Sequence, residues 1–482
     1  MPISQSDAIV LVMLLASVLA FMGLSWLAAK RQQNTLSDYL AASRQTPPLL
    51  VGLSTMAALC SGFMFIGLTG FIYEFGVLGV SYLGGTLVGE VLIWTYAFPR
   101  LRQRLSQKQF STFAHFIAGS DRAQARLQSG IAVLTILCFL PYAAAQFIAI
   151  NKAFEVFLHY SGGFGLVLFG VVITLSAAVG GMRSSIWVSS MQALMMLSAM
   201  WLVAIAALQA AGGVANLWSS NQLLETIGLW QTLQHQWLTF LAFFLGWLGY
   251  GFANCSMPHI INRTMTIKSA AALGRSRNLY VLAHLALTIP ATVIGLSARV
   301  LVPDLAASQA ELVFPLLTQR LLPALGVGLV LSGLFAAAAS SAEAMLLTCT
   351  EVVTQDLWPK AAQPYRITRI STIGIALLML ITAWVLPQNV FALVTLSIIM
   401  LGTTLAPMIV MRSLGRSLHL LTAVTMLLAT AVTIYIWQSV LHWSEFMGPG
   451  LAATLASAIA YLVIQHGVLP RLQSKVVSDS AG

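Results

Sequence analysis

Long apolar runs separated by short polar stretches recur from one end of this chain to the other. At roughly 20 apolar residues per crossing of a bilayer core, they predict thirteen helical spans, near 8–28, 48–72, 77–99, 128–151, 163–181, 187–211, 237–258, 279–301, 323–348, 369–387, 390–411, 417–439 and 448–468. Because the runs continue along the whole sequence, the pattern excludes a water-soluble domain with a single anchor. It predicts an all-α membrane protein forming one domain over 1–482.

Composition agrees. Hydrophobic residues make up 58% of the 482 and charged residues only 8%, against about 25% charged in an ordinary soluble domain. The net charge of +10 does not point to nucleic acid, because the basic residues sit in short connections between spans, where orientation signals belong. With the N-terminus outside, every one of the 24 lysines and arginines except Lys152, Arg299 and Arg320 falls on the inner side. The same reading gives an inner-membrane location, an inner C-terminus, and outer connections near 212–236 and 302–322, with Trp218, Trp230 and Trp237 as interfacial aromatics.

Cys60, Cys138, Cys255 and Cys349 lie within apolar spans without CxxC spacing and read as small core residues rather than disulfide or zinc partners. Met1 to Asp7 carries no lysine or arginine, so the first run reads as a retained span rather than a cleaved signal. No GxxxxGK[ST] segment occurs, so uphill transport would draw on an ion gradient. Neither a paired-histidine metal motif nor a GxSxG elbow supports a membrane enzyme. His259 and the solitary His284 read as structural hydrogen-bonding groups.

Two spans are poor continuous helices. Span 2 reads Leu53-Ser54-Thr55-Met56-Ala57-Ala58-Leu59-Cys60-Ser61-Gly62-Phe63, and span 7 carries Gly246, Gly249, Gly251, Asn254 and Pro258. Irregular backbone at membrane depth is tolerated where it lines a cavity. Interrupted helices five spans apart point to an inverted repeat with its binding site between them.

In order along residues 30 to 412, five segments resemble the sodium:solute symporter family, whose members include the bacterial proline symporters. They are Leu53-Ser54 through Ser61-Gly62; Gly84-Gly85 through Trp94 with Arg100-Leu101-Arg102; Gly180-Gly181 with Trp187 and Gln192; Pro258-His259 with Arg263; and Phe335 through Ser341, running on to Gln355-Asp356-Leu357. The resemblance implies a LeuT-like five-plus-five inverted repeat over 48–411, in halves 48–211 and 237–411, with additional helices and a short tail over 412–482. It implies a sodium ion held by the backbone carbonyls of Ala57, Cys60 and Ala337 and the hydroxyls of Ser340 and Ser341. The physics agrees, since a hard cation takes oxygen ligands and unwound backbone supplies free carbonyls.

Two positions depart from the family pattern, where relatives often carry aspartate and this chain has Leu59 and Ser189. By the same resemblance, Tyr250, Asn254, Tyr142, Gln146 and Ser61 contact the solute, with Thr403 and Thr404 closing the pocket.

Two intramembrane acids stand apart, because a charge at the bilayer centre costs at least about 2.5–3.5 kcal/mol. Glu90 reads either as a ligand for a proton or a solute amine or as a hydrogen-bond partner of opened backbone. Glu343 reads as a similar ligand or as a solvated residue near the inner mouth. The functional reading is cation-coupled uptake of a small organic solute such as an amino acid or carboxylate. Proton coupling through Glu90 or Glu343, or a transporter-like solute sensor, stands as the alternative. The partners are the solute, sodium and membrane lipid, with no organic cofactor and no nucleic acid.

Overall fold

The computed structural model describes residues 4–30, 38, 42–107, 112–119, 125–159, 163–219, 237–358, 365–443 and 448–468. Trp230, most of the 212–236 connection, Arg31, Lys108, Arg122, Lys360 and the tail with Arg471 and Lys475 lie outside them. The described residues form α1 (Gln5–Ala29), α2 (Pro48–Leu59), α3 (Gly62–Phe75), α4 (Val77–Leu92), α5 (Ala125–Leu158), α6 (Phe164–Ala210) and α7 (Trp237–Cys255). There follow α8 (Pro258–Thr264), α9 (Leu273–Leu301), α10 (Ala324–Glu351), α11 (Tyr365–Val385), α12 (Val390–Ser413), α13 (Leu420–Tyr435) and α14 (Gly450–Val463).

Among the described residues, eleven helices are long and apolar enough to cross a bilayer, or twelve if the bent pair α2–α3 counts as one span. The difference from thirteen lies in the fifth expected span. Phe164–Ala177 is only a shorter apolar helix, and it runs on into the next one through Gly181, whose φ of 55° and ψ of −157° kink α6 without ending it. Only glycine takes that conformation without a Cβ penalty.

α10 forms the centre. From Val330 to Glu351 every residue is buried, and α6 is its main packing partner, with α1, α5 and α2 also against it. A helix apolar all round and buried all round is a core helix. α7 is held by backbone-to-backbone packing: a Cβ on Gly251 would lie 2.1 Å from the Thr86 carbonyl oxygen, and one on Gly402 would lie 2.3 Å from that of Ala253. The span-7 glycines therefore serve close helix packing, and the interruption of that span comes later, at Ser256-Met257-Pro258.

Polar side chains tie the elements at both ends of the bundle. At one end Arg102 Nε donates to the Ile267 carbonyl at 3.2 Å, Arg104 Nε to Ser413 at 2.9 Å, and Arg412 Nε to Phe116 at 3.0 Å. At the other end the Tyr73 hydroxyl reaches the carbonyls of Val302 (2.9 Å) and Leu305 (3.1 Å). There the Glu311 carboxylate accepts from Lys152 Nζ at 2.5 Å and from the Phe391 amide at 2.7 Å.

Candidate functional site

The chain bends by 60° between α2 and α3. Cys60 (φ −81°, ψ 65°) ends α2 and Ser61 (φ −66°, ψ −169°) is extended. An interrupted helix leaves carbonyls and amides without their i to i+4 partners, and in a buried setting each must find another. The Ser340 hydroxyl donates to the Ala57 carbonyl at 2.6 Å, and that of Ser341 to Ala58 at 2.7 Å. On the far side of the break, the Gly62 amide donates to Gln146 Oε1 at 3.0 Å, and the Phe63 amide to the Ser61 hydroxyl at 3.2 Å.

The structure thus brings together Ala57, Ala337, Ser340, Ser341, Ser61 and Gln146, with the Ala337 carbonyl 2.9 Å from Ser340 Oγ. Cys60 sits at the bend itself, its amide bonded to Met56. The carbonyls of Ala57, Ala58 and Ala337 and the hydroxyls of Ser340 and Ser341 thus meet at the break.

The second interruption lies between α7 and α8. Met257 is extended (φ −68°, ψ 136°) and Pro258 opens α8. A residue preceding proline is pushed out of the helical region, and proline is suited to a first helical position. His259, expected to make structural hydrogen bonds at the inner end, is buried there, packed edge-on to Phe139 and Tyr142 and beside the Ala58 backbone.

Glu90, Asn254, Tyr280 and His284 converge between α4, α7 and α9. Glu90 Oε1 accepts from Asn254 Nδ2 at 3.0 Å, while Oε2 accepts from the Tyr280 hydroxyl at 2.6 Å and lies 2.8 Å from His284 Nδ1. Glu90 is 0% and His284 2% exposed. Glu90's partners are therefore side chains rather than opened backbone, and His284 does not stand alone. Neither Tyr280 nor the pairing of His284 with Glu90 was singled out from sequence. The available signal was that a lone acid and a lone imidazole in apolar helices each require a partner.

A third polar group corrects two expectations. Glu343 is 2% exposed, not solvated, because α10 is enclosed on all sides. Its carboxylate lies 3.4 Å from the Ser176 hydroxyl and within electrostatic reach of Ser185 and Arg263. Arg263, expected in an inner connection, is fully buried in α8, where Nη2 donates to the Ser185 hydroxyl at 2.5 Å and Nη1 lies 3.5 Å from the Ser54 carbonyl. Ser189 is buried on the same helix as Ser185, its hydroxyl without a partner. Pro258 starts a new helix inside the bundle, which is why Arg263 points inward.

Thr403 and Thr404 lie beside α7 but turn their hydroxyls back to the carbonyls of Ile399 (2.5 Å) and Met400 (2.9 Å). Tyr250 lies among aromatic rings at the wall of a cavity of about 130 Å³ between α3, α7, α12 and α14.

A helix bent at a buried polar centre, inside a bundle of apolar helices long enough to cross a bilayer, marks a multi-pass membrane protein. The model of the sodium:solute symporter family matches residues 39–414, and the chain belongs to that family. It is similar to the high-affinity proline transporter PutP of Bacillus subtilis (strain 168), 25% identical over 476 residues that span 95% of this chain and 97% of that protein. It is also similar to the sodium/proline symporter of Staphylococcus aureus, 24% identical over 438 residues, 87% of this chain and 84% of that protein.

Among solved structures, a Na+-coupled sialic acid symporter in a substrate-bound outward-open state matches with a TM-score of 0.77 at 16% identity, covering 95% of this chain and 97% of that one. A nucleobase-cation-symport-1 family transporter matches with a TM-score of 0.57 at 14% identity, covering 89% and 94%. These likenesses fix the fold. The family fixes the class of activity: sodium-coupled secondary transport of a small organic solute, not an enzymatic reaction.

Proposed function

We propose that the chain takes up a small organic solute, such as an amino acid or a carboxylate, by alternating access driven by sodium moving inward. The observation that carries this reading is the pairing of Ser340 and Ser341 with the carbonyls freed at the α2–α3 break. As a co-transported substrate, sodium would be held by the carbonyls of Ala57, Cys60 and Ala337 and the hydroxyls of Ser340 and Ser341. The hydroxyl protons of Ser340 and Ser341, donated here to the Ala57 and Ala58 carbonyls, would turn away to present lone pairs.

The solute would lie between the two interruptions, against Tyr250, Asn254, Tyr142, Gln146, Ser61 and Glu90, with Thr403 and Thr404 at its edge. The core of 48–411 would form two inverted halves, 48–211 and 237–411, flanked by 412–482. The distribution of basic residues supports insertion in the inner membrane with the N-terminus outside. The relatives named for proline transport make an amino acid the first solute to test.

Uptake into proteoliposomes decides the matter. An imposed inward sodium gradient should drive accumulation of a labelled amino acid or carboxylate, and dissipating that gradient should abolish it. Folded protein that accumulates no solute under either a sodium or a proton gradient would exclude transport and leave a sensor role.

A second reading, in which a proton is the coupling ion, draws on the buried Glu90–His284 contact. Accumulation under a proton gradient alone would select it.

A further inference from the structure

A second cavity, of about 240 Å³, lies on the outside of the bundle, where the chain runs on past α4 beside α7 and the last turn of α12. It is lined by Leu92, Ile93, Tyr96 and Ala97, by Phe252 of α7, and by Leu414 just past α12. Leu92, Tyr96 and Leu414 are 37%, 59% and 54% exposed. Apolar side chains on the outer surface of a membrane bundle face lipid, so this cavity opens away from the transport pathway.

One wall is not ordinary α-helix. Ile93–Ala97 is a π turn, in which the Phe98 amide donates to the Ile93 carbonyl five residues back. The extra residue widens the helix locally, and such turns recur at functional sites. Three guanidiniums surround it. Arg100 lines the cavity and donates through Nη1 to the Tyr96 carbonyl. One turn on, Arg104 Nε donates to the carbonyl of Ser413, another lining residue, at 2.9 Å. Arg277 Nη1 reaches the Thr95 hydroxyl inside the π turn at 3.0 Å. Among the described residues, no acid lines the cavity and none of these arginines pairs with a carboxylate.

The occupant must match both halves of this surface. A soluble anion would meet the guanidiniums but gain nothing from the apolar trough, and an uncharged lipid would fill the trough and leave the guanidiniums unmatched. An anionic phospholipid satisfies both, since the guanidinium fork fits phosphate oxygens and basic pockets between membrane helices hold anionic headgroups.

We infer that this cavity binds one anionic phospholipid of the surrounding leaflet, its phosphate at Arg100 and Arg104 and a stretch of acyl chain along Leu92, Tyr96 and Leu414. Such a lipid bridges the α4 side of the bundle to the end of α12. The inference needs only the membrane setting and is independent of the solute and of the coupling ion.

Native mass spectrometry of the delipidated full-length protein in detergent tests it, with dioleoyl phosphatidylglycerol, dioleoyl phosphatidylcholine and glycerol 3-phosphate as probes. Phosphatidylglycerol should form a saturable one-to-one adduct, held at least about fivefold more tightly than phosphatidylcholine, the worth of one arginine at an anionic surface. Glycerol 3-phosphate, which lacks the chains, should not displace it. Arg100→Gln and Arg104→Gln should each weaken phosphatidylglycerol by about fivefold and leave phosphatidylcholine unchanged. Leu414→Trp, which fills the trough and keeps both charges, should weaken both lipids.

Because Arg104 also holds the end of α12, Arg100→Gln, on an exposed side chain, is the decisive variant. Unchanged lipid selectivity in that variant would put the headgroup elsewhere. Equal affinity for the two lipids would make the cavity a nonspecific groove, and displacement by glycerol 3-phosphate would make it a site for a free phosphate. Each of these results overturns the proposal.

Discussion

His284 Nδ1 lies 2.8 Å from Glu90 Oε2, although 194 residues separate them and both side chains are buried in apolar helices. With Tyr280 and Asn254 on the same carboxylate, this pair fastens α9, α4 and α7 to one another at the level of the second helix interruption.

Removing one partner of such a pair strands the other, at a cost of about 3–5 kcal/mol. Glu90→Ala should therefore lower the unfolding temperature strongly, as should His284→Ala. The double variant should be less damaging than the sum, because the second removal deletes a group already orphaned. Thermal unfolding in detergent across the full cycle measures this, and strictly additive losses would show that the two residues do not interact.

Ser340→Ala and Ser341→Ala should each remove a hydroxyl donor from a buried carbonyl of α2, costing about 1 kcal/mol. If these hydroxyls also hold the ion, each variant should need markedly more sodium for half-maximal uptake than the parent does. A sodium titration of uptake that is unchanged in both variants would remove them from the ion site while leaving their structural role intact.

Gln146→Leu removes the acceptor of the Gly62 amide. The loss should be about 1–3 kcal/mol, the cost of an unsatisfied buried donor. Hydrogen exchange at Gly62, read by mass spectrometry, should rise above that of the parent, and an unchanged rate would show that another group caps α3.

Gly251→Ala would place a Cβ 2.1 Å from the Thr86 carbonyl oxygen, and backbone there cannot swing aside. It should cost at least about 1–3 kcal/mol, the range for overpacking. Gly130→Ala, with nothing within 4 Å of the added Cβ, should be neutral or stabilising by about 0.5–1 kcal/mol. Melting temperatures of the two variants should fall on opposite sides of the parent or nearly so, and similar losses in both would contradict the α4–α7 packing.

Glu311 accepts from Lys152 and from the first amides of α12, Val390 (3.1 Å) and Phe391 (2.7 Å). Glu311→Ala should therefore destabilise more than Lys152→Ala, since it also uncaps a helix, a loss of about 0.5–2 kcal/mol. Denaturation of the two variants side by side checks the order, and the reverse order would make the cap unimportant.

The sequence alone determined the features that depend on neighbours along the chain. Apolar run length predicted nearly every membrane helix, because each helix in lipid satisfies its own backbone. Ser61-Gly62 and Met257-Pro258 marked the interruptions, since proline restricts the residue before it and serine caps a new helix locally. What only the tertiary structure decided is which distant groups meet. The Glu90–His284 pair, the inward course of Arg263, the burial of Glu343 and the capping of Gly62 by Gln146 all join residues far apart in the chain. Periodicity states that a buried charge needs a partner but not which one, because that choice is made by how the helices pack.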